Sequence, residues 1–118
     1  MIHTLLRKIL KNKTIKRRLP RKLNSCPFFL TPGSQLKYIK YGANSFDEEL
    51  LNIAVKFING SSRVWDIGAN VGVFAFAAAS LARNGSVLAI EADTRLIELM
   101  KKSKNLKENK KINLIRAC

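Results

Sequence analysis

A short apolar strand, a glycine loop and an alanine-rich helix follow one another in the middle of the sequence. The run RVWDI at residues 63–67 is β-branched and aromatic, which favours a strand. It leads directly into the loop GANVG at residues 68–72, and the loop leads into an alanine-rich segment, 73–82, that ends at Asn84-Gly85. A strand that passes through a tight glycine loop into a helix is part of a β-α-β unit, so this segment indicates an α/β fold.

The same pattern continues towards residue 118. The run SVLAI at residues 86–90 predicts a second buried strand that ends at Glu91, and Asp93 or Thr94 can cap a following helix. Residues 112–117 predict the start of a third strand. The order β-α-β-α-β with short connections predicts a parallel sheet with right-handed crossovers. This is the N-terminal half of a Rossmann-like, doubly wound sheet.

Charge divides the 118 residues into two parts. Residues 1–42 contain 11 basic residues and none acidic, whereas residues 43–118 contain 11 basic and 8 acidic residues, so the net charge of +14 is concentrated at the start. We therefore predict a basic N-terminal arm at 1–42 and one incomplete domain at 43–118. A hydrophobic content of 47% excludes a chain that is disordered throughout.

The arm begins with an amphipathic helical pattern that Pro20 is expected to end. The apolar positions are Leu5, Leu6, Ile9 and Leu10, and the basic ones are Arg7, Lys8, Lys11 and Lys13. Three interpretations stay open: a helix that docks on the rest of the fold, an anchor on an anionic membrane surface, and a tail that contacts nucleic acid. An organelle transit peptide is a further alternative, but the arm is rich in Lys and poor in Ser.

Two local signals lie between the arm and the glycine loop. Residues 28–30 and 36–41 flank the turn sequence Thr31-Pro32-Gly33-Ser34 and predict a small hairpin with a packing role. Ser45-Phe46-Asp47-Glu48 is a capping box that starts a helix, and Asn59-Gly60 ends it. The predicted apolar stripe of this helix is Leu50, Leu51, Ala54, Phe57 and Ile58.

The candidate ligand site lies at the carboxyl ends of the first two parallel strands, where open α/β sheets bind ligands. The loop differs from the dinucleotide fingerprint G-x-G-x-x-G, because Asn70 and Val73 stand at the second and third glycine positions. Carboxylates at Asp66, Glu91 and Asp93 would repel phosphates and suit a ligand with an amino group and ribose hydroxyls. Glu91 follows Gly72 by 19 residues, close to the ~20-residue offset at which an acid meets a ribose.

At these residues the sequence resembles a known family. The run DIGANVGVF at residues 66–74 resembles the first motif of class I S-adenosylmethionine-dependent methyltransferases, and its D-I-G-A-N-x-G form is similar to that of FkbM-type methyltransferases. Glu91-Ala92-Asp93 stands where that family has the acid that closes the second strand, commonly followed by Pro, so Ala92 is a departure. The resemblance covers residues 46–118 and implies S-adenosylmethionine as cofactor and O-methylation of a small molecule or sugar.

The resemblance also implies roles for single residues. Gly68 and Gly72 would let the backbone approach the methionine part of the cofactor, and Asp66 would bind its amino end directly or through water. Glu91 would bind the ribose hydroxyls bidentately, and Asn70 would shape the loop with left-handed backbone angles. The backbone of Ala92-Asp93 would lie near the adenine. The candidate cofactor-binding residues are Asp66, Gly68, Ala69, Asn70, Gly72, Glu91, Ala92 and Asp93.

Simpler roles compete with these. Gly68 and Gly72 can serve only the turn and helix packing, Glu91 can cap a helix, and Asp93 can be an N-cap. Trp65, Phe74 and Phe76 are expected in the core rather than against a ligand. The only histidine, His3, lies in the arm and is a poor candidate for a general base. No catalytic residue and no metal ligand is predicted.

Only half of a doubly wound sheet is present, so we expect an N-terminal fragment or truncated product of a longer methyltransferase, with an unpaired apolar edge on its first strand. Catalysis by these residues alone is not expected. The alternatives are a non-enzymatic basic module or decayed enzyme that contacts nucleic acid or membrane, and an NAD-dependent oxidoreductase.

The expected partners are a small-molecule or sugar acceptor and, weakly, an anionic membrane through the arm; nucleic acid is not expected. Cys26 and Cys118 form no C-x-x-C pair, which favours a reduced, cytoplasmic setting, with the arm at the membrane periphery. No apolar run approaches the ~18 residues of a membrane span.

Overall fold

The computed structural model describes residues 2–10, 13–31, 48–106 and 112–116. Their helices are α1 (Ile2–Leu10), α2 (Glu48–Phe57), α3 (Val73–Leu81) and α4 (Thr94–Lys104), with a 3-10 turn at Arg21–Leu23. Their strands are β1 (Ile15–Arg18), β2 (Pro27–Leu30), β3 (Arg63–Ile67), β4 (Ser86–Glu91) and β5 (Ile112–Arg116). From β3 onward the order and bounds agree closely with the sequence prediction.

The strands β3, β4 and β5 form a parallel sheet in that order. Val64 of β3 lies beside Val87 of β4, and Val87 lies beside Ile112 of β5. Helices α3 and α4 connect the strands and pack against this sheet. The Rossmann-like β-α-β-α-β arrangement predicted from the sequence is therefore confirmed.

The two faces of this sheet differ in burial. Val87, Ala89 and Ile112 are buried on one face. On the other face Trp65 and Ile67 are 72% and 74% exposed, because no element of the described residues covers them. The prediction that Trp65 lies in the core is therefore wrong, whereas the prediction for Phe76, which is fully buried, is confirmed. Phe74 packs against the core but is only partly buried, so the prediction holds for it only in part.

The N-terminal region contains a two-stranded antiparallel hairpin that differs from the predicted one. Strand β2 pairs with β1, with Ile15 beside Leu30 and Arg18 beside Pro27. The sequence analysis placed residues 15–18 in the helix before Pro20, but α1 ends at Leu10. The predicted partner of β2, residues 36–41, and most of the turn before it lie outside the described residues.

The hairpin packs on the α/β unit through apolar side chains and one buried hydroxyl. Leu23, Phe28 and Leu30 are fully buried in the same hydrophobic cluster as residues of α3 and α4. The backbone N–H of Phe29 donates to Oγ of Ser103 at 2.7 Å, and Ser103 is itself fully buried. The core therefore includes part of the predicted arm, and the boundary between 42 and 43 stays a prediction.

Helix α2 uses only part of its predicted apolar stripe. Leu51 and Ala54 are buried, but Phe57 is 68% exposed, so its predicted place in the stripe is wrong. Glu48, the last residue of the predicted capping box, begins the helix and accepts a hydrogen bond from Nζ of Lys22 at 3.1 Å. The rest of the capping box lies outside the described residues. None of the described helices is long and apolar enough to cross a membrane.

Candidate functional site

The glycine loop after β3 contains three residues with left-handed backbone angles. Gly68, Asn70 and Gly72 have φ values of 78°, 58° and 93°. The N–H groups of Gly68 and Ala69 both donate to the carbonyl of Ile90, at 2.8 and 3.0 Å. The loop is therefore fastened to the carboxyl end of β4, and Asn70 has the left-handed conformation that the sequence predicts.

The two glycines of the loop are required for different reasons. A Cβ at Gly72 would lie 2.7 Å from Cε2 of Phe76 and 3.2 Å from Cγ of Met100, so helix packing adds to the requirement of its backbone angle. A Cβ at Gly68 would meet nothing within 4 Å. Only the backbone angle requires Gly68, and the space beside it is open to a ligand.

Asp66 points its carboxylate at the start of α3 from the end of β3. The backbone N–H of Ala75 donates to this carboxylate. The oxygen Oδ2 is buried and has no hydrogen-bond partner among the described residues. Burial raises the pKa of Asp66, the hydrogen bond from Ala75 opposes this, and the negative charge of Glu91 raises the pKa further. An unpartnered carboxylate oxygen is suited to a cationic donor such as an ammonium group.

Glu91 is the last residue of β4, and its carboxylate accepts hydrogen bonds from three backbone N–H groups. Its Oε2 accepts from Asn70 at 2.8 Å, and its Oε1 accepts from Ala92 at 2.8 Å and from Asp93 at 3.0 Å. These bonds, the one from Asp93 first, hold the pKa of Glu91 below its usual range although partial burial opposes them. A carboxylate has about four lone-pair positions, so the observed conformation leaves about one for a ribose hydroxyl rather than the two of a bidentate contact.

Asp93 is the N-cap of α4. Its carboxylate accepts from the backbone N–H of Arg95 at 2.8 Å and lies 3.4 Å from the Arg95 guanidinium. These contacts lower the pKa of Asp93, the backbone hydrogen bond most strongly. The capping role weighed in the sequence analysis is therefore confirmed, and a role in ligand binding stays a prediction.

A cleft of about 460 Å³ lies beside the glycine loop. Among the predicted site residues, Asp66, Gly68, Ala69 and Asn70 line it, whereas Gly72, Glu91, Ala92 and Asp93 do not. Its apolar lining is Leu50, Trp65, Ile67, Val71, Val73 and Phe74. Glu91 is joined to this cleft by its hydrogen bond to Asn70 and acts electrostatically on Asp66. The structure thus brings the loop and Asp66 together in one cleft and puts Glu91 beside it.

The sequence analysis did not predict the six apolar residues of the cleft lining, and two of them show why. Trp65 and Leu50 line it, but the first was assigned to the core and the second to a helix stripe. No signal in the sequence marks Trp65, because side chains alternate along a strand and this puts Trp65 on the face opposite Asp66. None marks Leu50 either, because its position depends on how α2 packs beside α3.

Solved structures with the same fold include a precorrin methyltransferase. P. horikoshii TYW2, solved in complex with MeSAdo, is 16% identical with a TM-score of 0.61, over 98% of this chain and 46% of that one. The precorrin-6y C5,15-methyltransferase of Geobacter metallireducens is 18% identical with a TM-score of 0.54, over 66% of this chain and 40% of that one. YcgJ of Bacillus subtilis is 19% identical with a TM-score of 0.51, over 59% of this chain and 30% of that one.

These similarities define the class of fold: the chain has the Rossmann-like α/β fold that these solved structures share. It spans less than half the length of each of these three solved structures. No protein-family model and no curated protein sequence matches the chain.

Proposed function

We propose that this chain binds S-adenosylmethionine and forms the cofactor-binding part of a class I methyltransferase. The observation that carries the proposal is the buried, unpartnered oxygen of Asp66 beside a loop in which Gly68 leaves open space. A ligand with a positively charged amino group supplies the missing partner of that oxygen. S-adenosylmethionine has such a group, together with ribose hydroxyls for the remaining lone pair of Glu91.

The charges of the site favour this cofactor over a nicotinamide dinucleotide. A pyrophosphate binds where a helix N-terminus offers free N–H groups. Here the carboxylate of Asp66 already accepts from Ala75 in the first turn of α3. A second carboxylate, Glu91, is kept anionic by its hydrogen bonds at the end of the neighbouring strand. Two negative charges at this position oppose a phosphate and favour a cation.

The motif supports a finer proposal, an FkbM-type enzyme that O-methylates a small molecule or a sugar. The sulfonium of the cofactor supplies an activated methyl group, so the protein needs chiefly to bind and orient the two reactants. Trp65 and Phe74 give the cleft an aromatic lining on which a small acceptor can pack, and its volume of about 460 Å³ is within the range of small-molecule sites. The acceptor and the activity of the whole protein are part of this proposal.

The first test is calorimetric titration of the chain with S-adenosylmethionine and, separately, with NAD. We expect binding of the former only, and a loss of about tenfold or more in Asp66→Ala. The matched control is Glu98→Ala, which removes an exposed carboxylate paired with Lys101 on the surface of α4. Equal affinity of wild type and Asp66→Ala, or preferred binding of NAD, would contradict the proposal.

A further inference from the structure

The described apolar side chains of α1 face solvent. Ile2, Leu5 and Ile9 are 73%, 61% and 61% exposed. Because they are spaced by three and four residues, they form one apolar ridge along the helix. None of the three belongs to the hydrophobic cluster of the described residues. Within the described residues, the apolar ridge therefore does not dock on the rest of the fold, which was one of the three interpretations of the arm.

Basic side chains accompany the apolar ridge. Lys8 is exposed on the same helix, and Lys13 and Lys16 are exposed in the residues that follow. The sequence contains no acidic residue before Asp47, so the arm itself offers these lysines no carboxylate. Lys22 is paired with Glu48 of α2 and does not contribute to this charge. The described part of the N-terminal segment thus carries exposed positive charge together with the apolar ridge.

We propose that α1 docks on an anionic lipid surface. The apolar ridge enters the boundary between headgroups and acyl chains, and the exposed lysines contact the anionic headgroups. A helix of 9 residues is about 14 Å long, less than half the ~30 Å of a hydrocarbon core. The helix therefore lies in the plane of the surface, and its binding is weak and reversible.

The apolar ridge favours lipid over nucleic acid as the partner. A phosphate backbone would satisfy Lys8, Lys13 and Lys16 equally well. It would leave Ile2, Leu5 and Ile9 in water, because their large aliphatic side chains have no counterpart on a phosphate backbone. A lipid interface accommodates both groups at once, and this inference does not depend on the proposed methyltransferase function.

The test is co-sedimentation of the full chain with vesicles of phosphatidylcholine containing one quarter phosphatidylglycerol, compared with pure phosphatidylcholine. We expect binding to the anionic vesicles that weakens as salt increases. Leu5→Gln/Ile9→Gln leaves the charge unchanged and is expected to reduce binding by about tenfold or more. The matched control, Thr4→Gln/Thr14→Gln, changes two exposed polar residues of the same segment and should bind as wild type does.

Three results would overturn the proposal. The first is unchanged vesicle binding by Leu5→Gln/Ile9→Gln, since the apolar ridge would then have no role. The second is equal binding to neutral and anionic vesicles, since the lysines would then have none. The third is absence of vesicle binding together with tight, salt-dependent binding to poly(U), which would assign the arm to nucleic acid. The circular dichroism spectrum of each variant confirms that it is folded.

Discussion

The carboxylate of Glu91 accepts a hydrogen bond of 2.8 Å from the backbone N–H of Asn70, and this bond links the end of β4 to the glycine loop after β3. The N–H of Asn70 is partly buried and the residue has a positive φ of 58°. The acid therefore stabilises a loop conformation that most side chains disfavour. Its position predicts two separate effects of substitution, one on the loop and one on ligand binding.

Replacement of Glu91 should affect stability as well as binding. In Glu91→Ala three backbone N–H groups lose their acceptor, which we expect to cost about 1–2 kcal/mol of unfolding free energy, and affinity for S-adenosylmethionine should fall about tenfold or more. Glu91→Gln keeps one carbonyl acceptor, so its unfolding free energy and its affinity should lie between those of wild type and Glu91→Ala. Urea unfolding and calorimetric titration measure the two effects. A Glu91→Ala protein as stable as Glu98→Ala would contradict the role in the loop.

Substitution of the two loop glycines should distinguish an effect on stability from an effect on ligand binding. Gly72→Ala puts a Cβ against Phe76 and Met100 at a positive φ and should cost about 2–4 kcal/mol. In Gly68→Ala the new Cβ meets no neighbour, so only the backbone angle lowers the unfolding free energy, by about 1–2 kcal/mol. The added methyl group should also obstruct the ligand. Gly60→Ala is the control, since its Cβ meets nothing within 4 Å and no positive φ is involved. Thermal unfolding of the three variants in parallel should give this order, and a Gly72→Ala protein as stable as Gly60→Ala would argue against the packing described.

The buried charge of Asp66 should lower stability at neutral pH. Its folded-state pKa lies above the ordinary value of 3.8, so the ionised form destabilises the fold at neutral pH. This cost disappears as pH falls through the raised pKa towards 3.8. Asp66→Asn should therefore be more stable than wild type at pH 7, with a difference that shrinks on acidification. Melting temperatures from pH 7 down to pH 4 test this, and a constant difference would count against it.

Glu91 and Asp93 should have the opposite pH dependence. Their folded-state pKa values lie below the ordinary values of 4.5 and 3.8. Their contribution to stability is present above those values and is lost as pH falls through the lowered pKa values. In Asp66→Asn, where the opposing effect is absent, acid should destabilise the protein more steeply than in wild type. An acid-unfolding curve of Glu91→Gln in the same background should be flatter, and an equally steep one would exclude Glu91 as the source.

The hydroxyl of Ser103 should be necessary for the attachment of the hairpin. Ser103→Ala leaves the N–H of Phe29 without its acceptor in a partly buried position, which should lower the free energy of unfolding by about 1–3 kcal/mol. The control is Ser80→Ala, because Ser80 donates only to the carbonyl of Ala77 within its own helix. Hydrogen exchange of the β2 amides should accelerate in Ser103→Ala alone. Equal exchange in both variants would show that apolar packing suffices.

The bare face of the parallel sheet should promote association of the chain with itself. Trp65 and Ile67 are among its most exposed apolar residues, and β3 is an edge of the sheet formed by the described strands. Exposed apolar edges of this kind favour pairing with other chains. Ile67→Lys should reduce concentration-dependent association in sedimentation velocity, whereas Lys56→Ala on the surface of α2 should not. Identical association of both variants would exclude this face as the cause.

Local patterns were sufficient to predict the α/β unit. The strands β3 to β5 and the helices between them depend on apolar runs, an Asp93 cap and glycine turns, all within a few residues of each other. The hairpin could not be predicted from local patterns, because it depends on more distant contacts. Strand β1 has the sequence IKRR, and its strand conformation requires the β2 partner that α4 supports. The requirement for glycine at position 85 could not be predicted from local patterns either, because a side chain there would overlap the Ser62 carbonyl on the neighbouring strand segment.

The candidate site could also be predicted only in part. The backbone angles of Gly68 and Asn70 could be predicted from residue type, since few other residues adopt them. The three hydrogen bonds of Glu91 could not, because they depend on where β4 ends relative to the loop. Trp65 was misassigned because its hydrophobicity favours burial, while its actual exposure depends on which layers cover the sheet.

The bond between Phe29 and Ser103 joins residues 74 positions apart, and this separation determines when the hairpin can attach to α4 during synthesis. At 5–20 residues per second, a ribosome needs about 4–15 s to add the intervening chain. During that interval the apolar residues of β2 have no partner on α4. A nascent chain therefore cannot bury these residues against α4 until Ser103 has been synthesised.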